Sequence, residues 1–513
     1  MHLKANISIF RKDERGTVAI LWGTALVAFL GFFAITLDVG RLSATHSELQ
    51  SFADSVALAA AGELDGQPDA ITRATGAAAN LISDSQTFAN GSNTLSGSAD
   101  YTLTFHSALP ASDLTPLGAD ITTNPREAKF AQVVLTPKSV TVSLASALDK
   151  ILGGGGITPV SISAEAVAGY TKAACDISPL MFCLPPDWET TLTVGDQILL
   201  RSGGNNTAWG AGNFGFIDLD SFGDLQSGAC ANEGGNKLAC LIAAQENITQ
   251  CVLTNGLNTE PGQKVGITNA AFNVRFDIYR STLNGEKNKP LYAPAPNVIK
   301  GIRKSGGGSC IQGSEEVTPD TTALGRDTCM AAGTCGGNNR FGDGTWDRTG
   351  YINRNHDLAD GVADGIGSDA HLPALSGPDT VFAGTRYGMY LREIAYGNTN
   401  PHSAPNANSI LDPTLAETGR PICSNQMSTN PARRIVNAAG IDCTQNPVSG
   451  RTTGVPVTKF VSLFLTEPVG DDGASPPSFD IHGEIVGFPD VAGVGSGGNG
   501  FGGIFRDVVQ LYR

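Results

Sequence analysis

The sequence predicts an α+β protein: an N-terminal transmembrane helix that continues into a long amphipathic helix on an antiparallel sheet, followed by a β-rich, loop-rich, disulfide-containing ectodomain. Three observations predict it. Gly16 to Leu37 (GTVAILWGTALVAFLGFFAITL) is a run of 22 residues without a charge. The residues just after it keep apolar side chains at helical spacing, and beyond about residue 100 the chain breaks into short β-branched runs separated by Gly, Pro, Asn and Asp. With 513 residues the chain exceeds what one hydrophobic core organises, so two or more units are expected. Sixty-three glycines and a charged fraction of 16% suit a turn-rich structure.

As a helix the uncharged run extends roughly 33 Å at about 1.5 Å per residue, enough to cross the hydrocarbon core of a bilayer. Lys4, Arg11, Lys12 and Arg15 precede it, and only Arg41 falls between Asp38 and Ala57. The positive-inside rule then puts residues 1–15 in the cytoplasm and the bulk outside. A signal peptide would have a shorter apolar region and a small-residue cleavage site close behind. Here the nearest Ala cluster, Ala59 to Ala61, lies far beyond the run, which favours an uncleaved anchor. The formal charge of −15 and pI near 4.9 argue against nucleic acid as a partner, because a phosphate backbone needs a basic surface. The expected organisation is a basic segment 1–15, a membrane helix 16–37, a membrane-proximal α+β domain 38–172 and a β-rich ectodomain 173–513.

Val39, Leu42, Leu49, Phe52, Val56 and Ala60 recur at helical spacing beside Ser47, Glu48, Gln50 and Asp54. Asp65-Gly66 and Pro68 end the pattern, giving one rod over 16–63 that presents an apolar stripe. A second helix is expected around 68–82. Strands are expected at Tyr101 to Phe105, Phe130 to Leu135, Ser139 to Leu144 and Val160 to Val167, with a helical turn at Ala145 to Leu152 closed by Gly153 to Gly156. A long helix on such a sheet is an arrangement of pilin type. Further on, the strand candidates are Leu192 to Val194, Gln197 to Leu200, Phe272 to Tyr279, Thr380 to Ala383, Lys459 to Leu465 and Ile481 to Val486, with a helix at Leu238 to Ile248.

All ten cysteines (175, 183, 230, 240, 251, 310, 329, 335, 423 and 443) lie beyond the anchor, which reads as up to five disulfides in an oxidising compartment. No C-x-x-C zinc spacing occurs. Cys175 with Cys183, Cys329 with Cys335 and Cys423 with Cys443 are the shortest loops to close, although sequence leaves the pairing open.

Arg15-Gly16-Thr17-Val18-Ala19, the apolar run, Leu37-Asp38-Val39-Gly40-Arg41, Leu49-Gln50, Ala53-Asp54 and Ala57 to Ala61 together resemble the N-terminal signature of the Flp pilus-assembly TadE/TadG-like proteins. The resemblance covers about residues 11 to 62. It implies a single-pass protein of the bacterial inner membrane with a periplasmic bulk, a role in a Tad pilus assembly and secretion apparatus, and other Tad pilus assembly proteins and membrane lipid as partners. Adhesion is the associated phenotype, and self-association stays open. Leu21 stands where a type IV prepilin carries Glu after its cleavage-site Gly, so prepilin processing is not implied. The Asp-x-Ser-x-Ser loop of a von Willebrand A domain is missing, so that metal site is not carried over.

No catalytic residue, cofactor site or metal site is assigned. The sequence has no Gly-x-Ser-x-Gly elbow, no His-Glu-x-x-His and no phosphate-loop ending. Gly493 to Gly498 satisfies G-x-G-x-x-G only formally, with too little chain after it for a dinucleotide fold. The densest polar constellation is Asp343, Asp347, His356, Asp357, Asp360, Asp364, Asp369 and His371. Its spacing lacks the ligand pattern of an EF-hand or β-roll, so solvated turn residues are favoured over a structural calcium site. Two function classes follow: a non-enzymatic assembly component acting through protein contacts, or an anchored periplasmic enzyme, ligand-binding receptor or adhesin with a site in 173–513, calcium-binding in one version. The charge bias makes the topology testable. Alkaline phosphatase fused after residue 70 is expected to be active in cells, with full-length protein in the membrane fraction. A soluble product starting near residue 62 would indicate a signal peptide instead.

Overall fold

The computed structural model describes residues 17–512 except 66–67, 81–82, 89, 91–93, 111, 113–114, 119, 126, 176, 204–208, 220–229, 231–232, 234–235, 246–250, 254–256, 261–263, 307–309, 312–314, 358–363, 400–416, 472–478 and 490–504. The basic segment 1–15, Asp360 and the Gly493–Gly498 motif therefore lie outside the described residues. The fold is α+β and divides into two compact units. One holds the chain up to Thr171 together with Asp507–Arg513, and the other holds Lys172–Arg506. The return of the last residues to the first unit has no signal in the sequence.

The first unit is organised by helix α1, Thr17–Ala61. No proline interrupts these 45 residues, and the helix stops at Gly62, whose N–H still bonds to Leu58 O at 3.0 Å. Helix α2, Ala70–Asn80, packs Ala70, Ala74, Ala77 and Ala78 inward. The sheet is built from β1 (Tyr101–His106), β2 (Phe130–Leu135) and β3 (Glu165–Cys175), antiparallel in that order. A returning strand, Phe505–Leu511, pairs with β3 on its other side. Leu49, Phe52, Ala53, Val56, Ala57 and Ala60 of α1 are buried against Ala131, Val133 and Leu135 of β2 and Ala166 and Ala168 of β3. Each large side chain in this layer contributes about 1.5–3 kcal/mol. Gly169 of β3 faces Phe130, and a Cβ there would stand 2.6 Å from that ring and 2.7 Å from Tyr512. The bare glycine lets Phe130 and Tyr512 meet edge to face with centroids 5.2 Å apart, and the Tyr512 N–H donates to Val167 O at 2.8 Å.

Two expectations for this unit change. Ser139 to Leu144 is not one strand: Lys138–Val140 is extended, and helix α3, Ser143–Ile151, begins where it does because a carboxylate distant in sequence accepts the Ala145 N–H. Val160 to Val167 is split into a short strand Val160–Ile162 and the start of β3. On α1, Val39 is exposed, and the buried face in that turn passes instead through Asp38 and Thr45.

The second unit is built on β4 (Leu180–Cys183), β5 (Gln197–Ser202), β6 (Asn213–Ile217), β7 (Ile435–Ile441), β8 (Lys459–Leu465) and β9 (Phe479–Gly487). The ladder runs β6, β4, β7, β8, β9, and β5 then pairs with both β9 and β6, so the six strands close on themselves. Closure removes the free edges an open sheet would expose. Leu180, Phe182, Ile198, Leu200, Phe214, Phe216, Val461, Leu463, Ile481 and Ile485 alternate into one core cluster. Around the strands sit α4 (Lys237–Ala243), α5 (Val265–Asn273), α6 (Arg348–Asn355) and α7 (Arg386–Thr399).

Lys459 to Leu465 forms as expected, whereas Phe272 to Tyr279 is not a strand: α5 continues into a 3-10 turn at Val274–Phe276, which Asp277 ends. Ala270, Ala271, Phe272, Val274 and Phe276 are buried on every side, which removes the periodicity that separates helix from strand. Thr380 to Ala383 belongs to a 3-10 turn, Gly377–Phe382, opened by Pro378. Leu192 to Val194 is a turn, because Asp196 Oδ2 accepts the Thr193 N–H at 2.7 Å.

The disulfides are Cys183–Cys443, Cys230–Cys240, Cys310–Cys423 and Cys329–Cys335. The Cys329–Cys335 pairing holds, but Cys175–Cys183 and Cys423–Cys443 do not form. The parallel pairing of β4 with β7 sets Cys183 beside the chain leading to Cys443, so sheet register overrides loop length. Cys175 and Cys251 stand opposite each other in strand register. Non-reducing peptide mapping should recover the four bridges and a fifth joining Cys175 to Cys251. Joint replacement of Cys183 and Cys443 by Ser, which opens a loop of 260 residues, should cost about 4–5 kcal/mol in denaturant unfolding.

Candidate functional site

The described aspartates of 343–371 fold into local backbone work and ion pairs rather than around a common point. Asp343 Oδ1 accepts from Thr345 N at 3.0 Å, Asp347 caps α6 by accepting from Gly350 N at 2.8 Å, and Asp364 Oδ1 accepts from Ile366 N at 2.9 Å. Asp357 Oδ1 accepts from Gly365 N at 2.7 Å. Asp369 instead joins Arg348 to Arg392 Nη1, the latter at 2.5 Å. Burial works to raise its pKa, and the two guanidiniums overcome that and hold it below the usual carboxylate range.

The two histidines do come together, with ring centroids 5.2 Å apart, and His371 also meets Tyr396 edge-on at 4.9 Å. Behind them lies Glu393 of α7, a carboxylate the sequence reading did not single out. It accepts from Tyr351 Oη at 2.7 Å and Asn297 Nδ2 at 2.8 Å, and its Oε1 lies 3.2 Å from His356 Nε2. All its oxygens are spent on buried partners. A group of Asp327, Cys329 and Asp343 has metal-like spacing among the described residues. Yet Cys329 is bonded to Cys335, and Asp327 pairs with the buried guanidinium of Arg386. Neither is free to ligate.

The other constellation is α1 itself. From Val18 to Leu37 its large side chains are exposed, including Ile20, Leu21, Phe29, Phe32 and Phe33, whereas from Leu49 onward one face is buried. Two hydroxyls of the exposed stretch bond back to the helix, Thr24 to Ile20 O at 3.0 Å and Thr36 to Phe32 O at 2.7 Å. That is how polar side chains are accommodated in an apolar medium. It is the one helix among the described residues long and apolar enough to cross a membrane. At the end of the run Asp38, 2% exposed, accepts the Ala145 N–H of α3 (Ser143–Ile151) at 2.7 Å. Arg41 lies 3.8 Å from Asp38 and stacks over Phe88 at 5.4 Å. Nothing in the sequence marks Asp38 as buried, because it looks like the first solvated residue past an anchor.

Burial, reinforced by His356, lowers the His371 pKa below its ordinary 6.5, against a counter-pull from Asp369. As pH falls below about 6.5 the unfolded chain takes up a proton that the folded chain resists, so the folded state loses stability toward acid. The stability difference between wild type and His371→Asn should therefore shift against wild type between pH 7 and pH 5, measured by urea unfolding. A constant difference would show that the imidazole titrates freely.

No curated protein and no solved structure matches the chain. Residues 16–63, almost coextensive with α1, match the Tad family model, described as putative Flp pilus-assembly TadE/G-like.

Proposed function

We propose that this chain is a membrane-anchored component of a Tad/Flp-type pilus assembly and secretion apparatus. It stands with its N-terminus in the cytoplasm and its bulk in the periplasm, and acts through protein contacts rather than chemistry. The supporting observation is the coincidence of the family match with a helix that changes character along its length. One part offers only apolar surface outward, and the other is the spine of a folded sheet domain. A helix of that kind couples a bilayer to a periplasmic scaffold of pilin type. The described aspartates of 343–371 are engaged in turns and ion pairs, which favours assembly over a calcium-dependent receptor.

Deleting the gene in its own bacterium should abolish Tad-dependent pili and surface adherence, and the wild-type chain should restore both. Leu49→Asp, Phe52→Asp and Val56→Asp together, which put charge into the α1–sheet core, should fail to restore them. Asp357→Ala with Asp364→Ala should restore them fully. Normal pili in the deletion strain would overturn the reading. Loss of adherence in the aspartate variant at normal protein level, rescued by calcium, would favour the receptor or adhesin.

A further inference from the structure

We propose that α3 and the loop after it, residues 143–157, sit in the outer interface of the bilayer against α1 and set the depth of the anchor; this rests on reading α1 as the membrane span. Asp38 is the first charge after the uncharged run, and its bond to the Ala145 N–H places the start of α3 level with it. From there α3 heads toward the N-terminal end of α1. Leu148 Cδ2 lies 3.2 Å from where a Cβ on Gly31 would stand, and Ala34 between the two contacts is buried. Seven residues separate Gly31 from Asp38, about 10 Å along the helix axis. That matches the depth of about 5–10 Å at which interfacial amphipathic helices lie.

The outward face of this segment is apolar. Ile151 is 80% exposed, Leu152 64%, Ile157 44% and Leu144 41%, an arrangement unfavourable in water and at home among acyl chains. Several of its loop N–H groups are bonded within the segment. Asp149 Oδ2 accepts from Gly156 N at 2.8 Å, Ser146 Oγ accepts from Ile157 N at 3.0 Å, and the Gly154 N–H reaches Asp149 O at 2.8 Å. Loop backbone that approaches hydrocarbon needs such internal bonding. Exposed Lys150 can reach lipid phosphate while its stem stays apolar. The occupant is lipid because Leu148 meets α1 at Gly31, inside the stretch whose Phe29, Phe32 and Phe33 are exposed.

The test uses purified full-length protein in phosphatidylcholine–phosphatidylglycerol vesicles. An environment-sensitive fluorophore is placed on one added thiol at a time: Ile151→Cys, Leu26→Cys in the span, or Ser83→Cys on an exposed strand. Quenching is read with lipids carrying a nitroxide near the headgroup or deep in the acyl chain. Ile151→Cys should be quenched several-fold more by the shallow nitroxide than by the deep one, Leu26→Cys most by the deep one, and Ser83→Cys by neither. Quenching at Leu26→Cys with an unquenched, water-exposed Ile151→Cys would overturn the interfacial segment and leave the anchor standing, pointing to a protein on that face. Absence of quenching at both positions would overturn the anchor and this inference together.

Discussion

One uninterrupted helix carries an exposed apolar stretch and a buried apolar face, and the first unit is arranged around that constraint. Along α1 the exposed face from Val18 to Leu37 and the buried face from Leu49 to Ala61 are both apolar, yet they answer to different surroundings. The upper face has a sheet to pack on, and its small residues Ala53, Ala57 and Ala60 let β2 and β3 approach closely. The lower stretch has large aliphatic and aromatic side chains on nearly every side and no sheet against it. Because α1 has no proline and no capping break between the two, whatever fixes the lower part also fixes the orientation of the upper part.

Polar bonds tie the helix to its sheet where apolar packing alone would allow sliding. Gln50 Nε2 donates to Glu165 O at 2.9 Å, Glu165 Oε1 accepts from Gln132 Nε2 at 2.8 Å, and Gln132 Oε1 faces buried His106 at 2.9 Å. The chain of bonds crosses β3, β2 and β1 and sets register in a way that interchangeable alanines do not. The second unit uses charge similarly. Glu484 of β9 accepts the N–H groups of Arg386 and Tyr387, each at 2.8 Å, at the start of α7, and the Arg386 guanidinium also engages Asp327 and Gly325 O. A buried carboxylate at a helix N-terminus meets unpaired donors and the positive end of the macrodipole at once. Burial still raises the Glu484 pKa, against the pull of Arg386.

Legibility in the sequence follows the strength of local patterning. The stripe Leu49–Phe52–Val56–Ala60 and the strand Phe130–Leu135 each carry a period that survives folding, whereas the apolar run is legible by its length and Lys459–Leu465 as a short apolar, β-branched and aromatic run. Phe272 to Tyr279 loses its period because it is buried all round. The start of α3 is set by Asp38, more than a hundred residues earlier, which no local window contains. Cys183–Cys443 depends on a parallel pairing between strands far apart in the chain. Glu393 was invisible for a related reason: its partners Tyr351, His356 and Asn297 are scattered along the chain, and only α7 packing on α6 assembles them.

The returning strand gives the first unit a particular order of completion. Residues 172–506 are an insertion in a sheet whose Phe130–Gly169 contact is finished only by Tyr512. At ordinary translation speeds that strand emerges on the order of tens of seconds after β3. Until then the β3 edge around Val167 is an open template, a hazard for stray pairing as well as a vacancy for the rightful strand. The arrangement acts as a length check. A chain broken anywhere in the insertion leaves the α1-bearing sheet unfinished, with Phe130 lacking its Tyr512 contact, so loss of sequence far from α1 is felt in the sheet that α1 packs on.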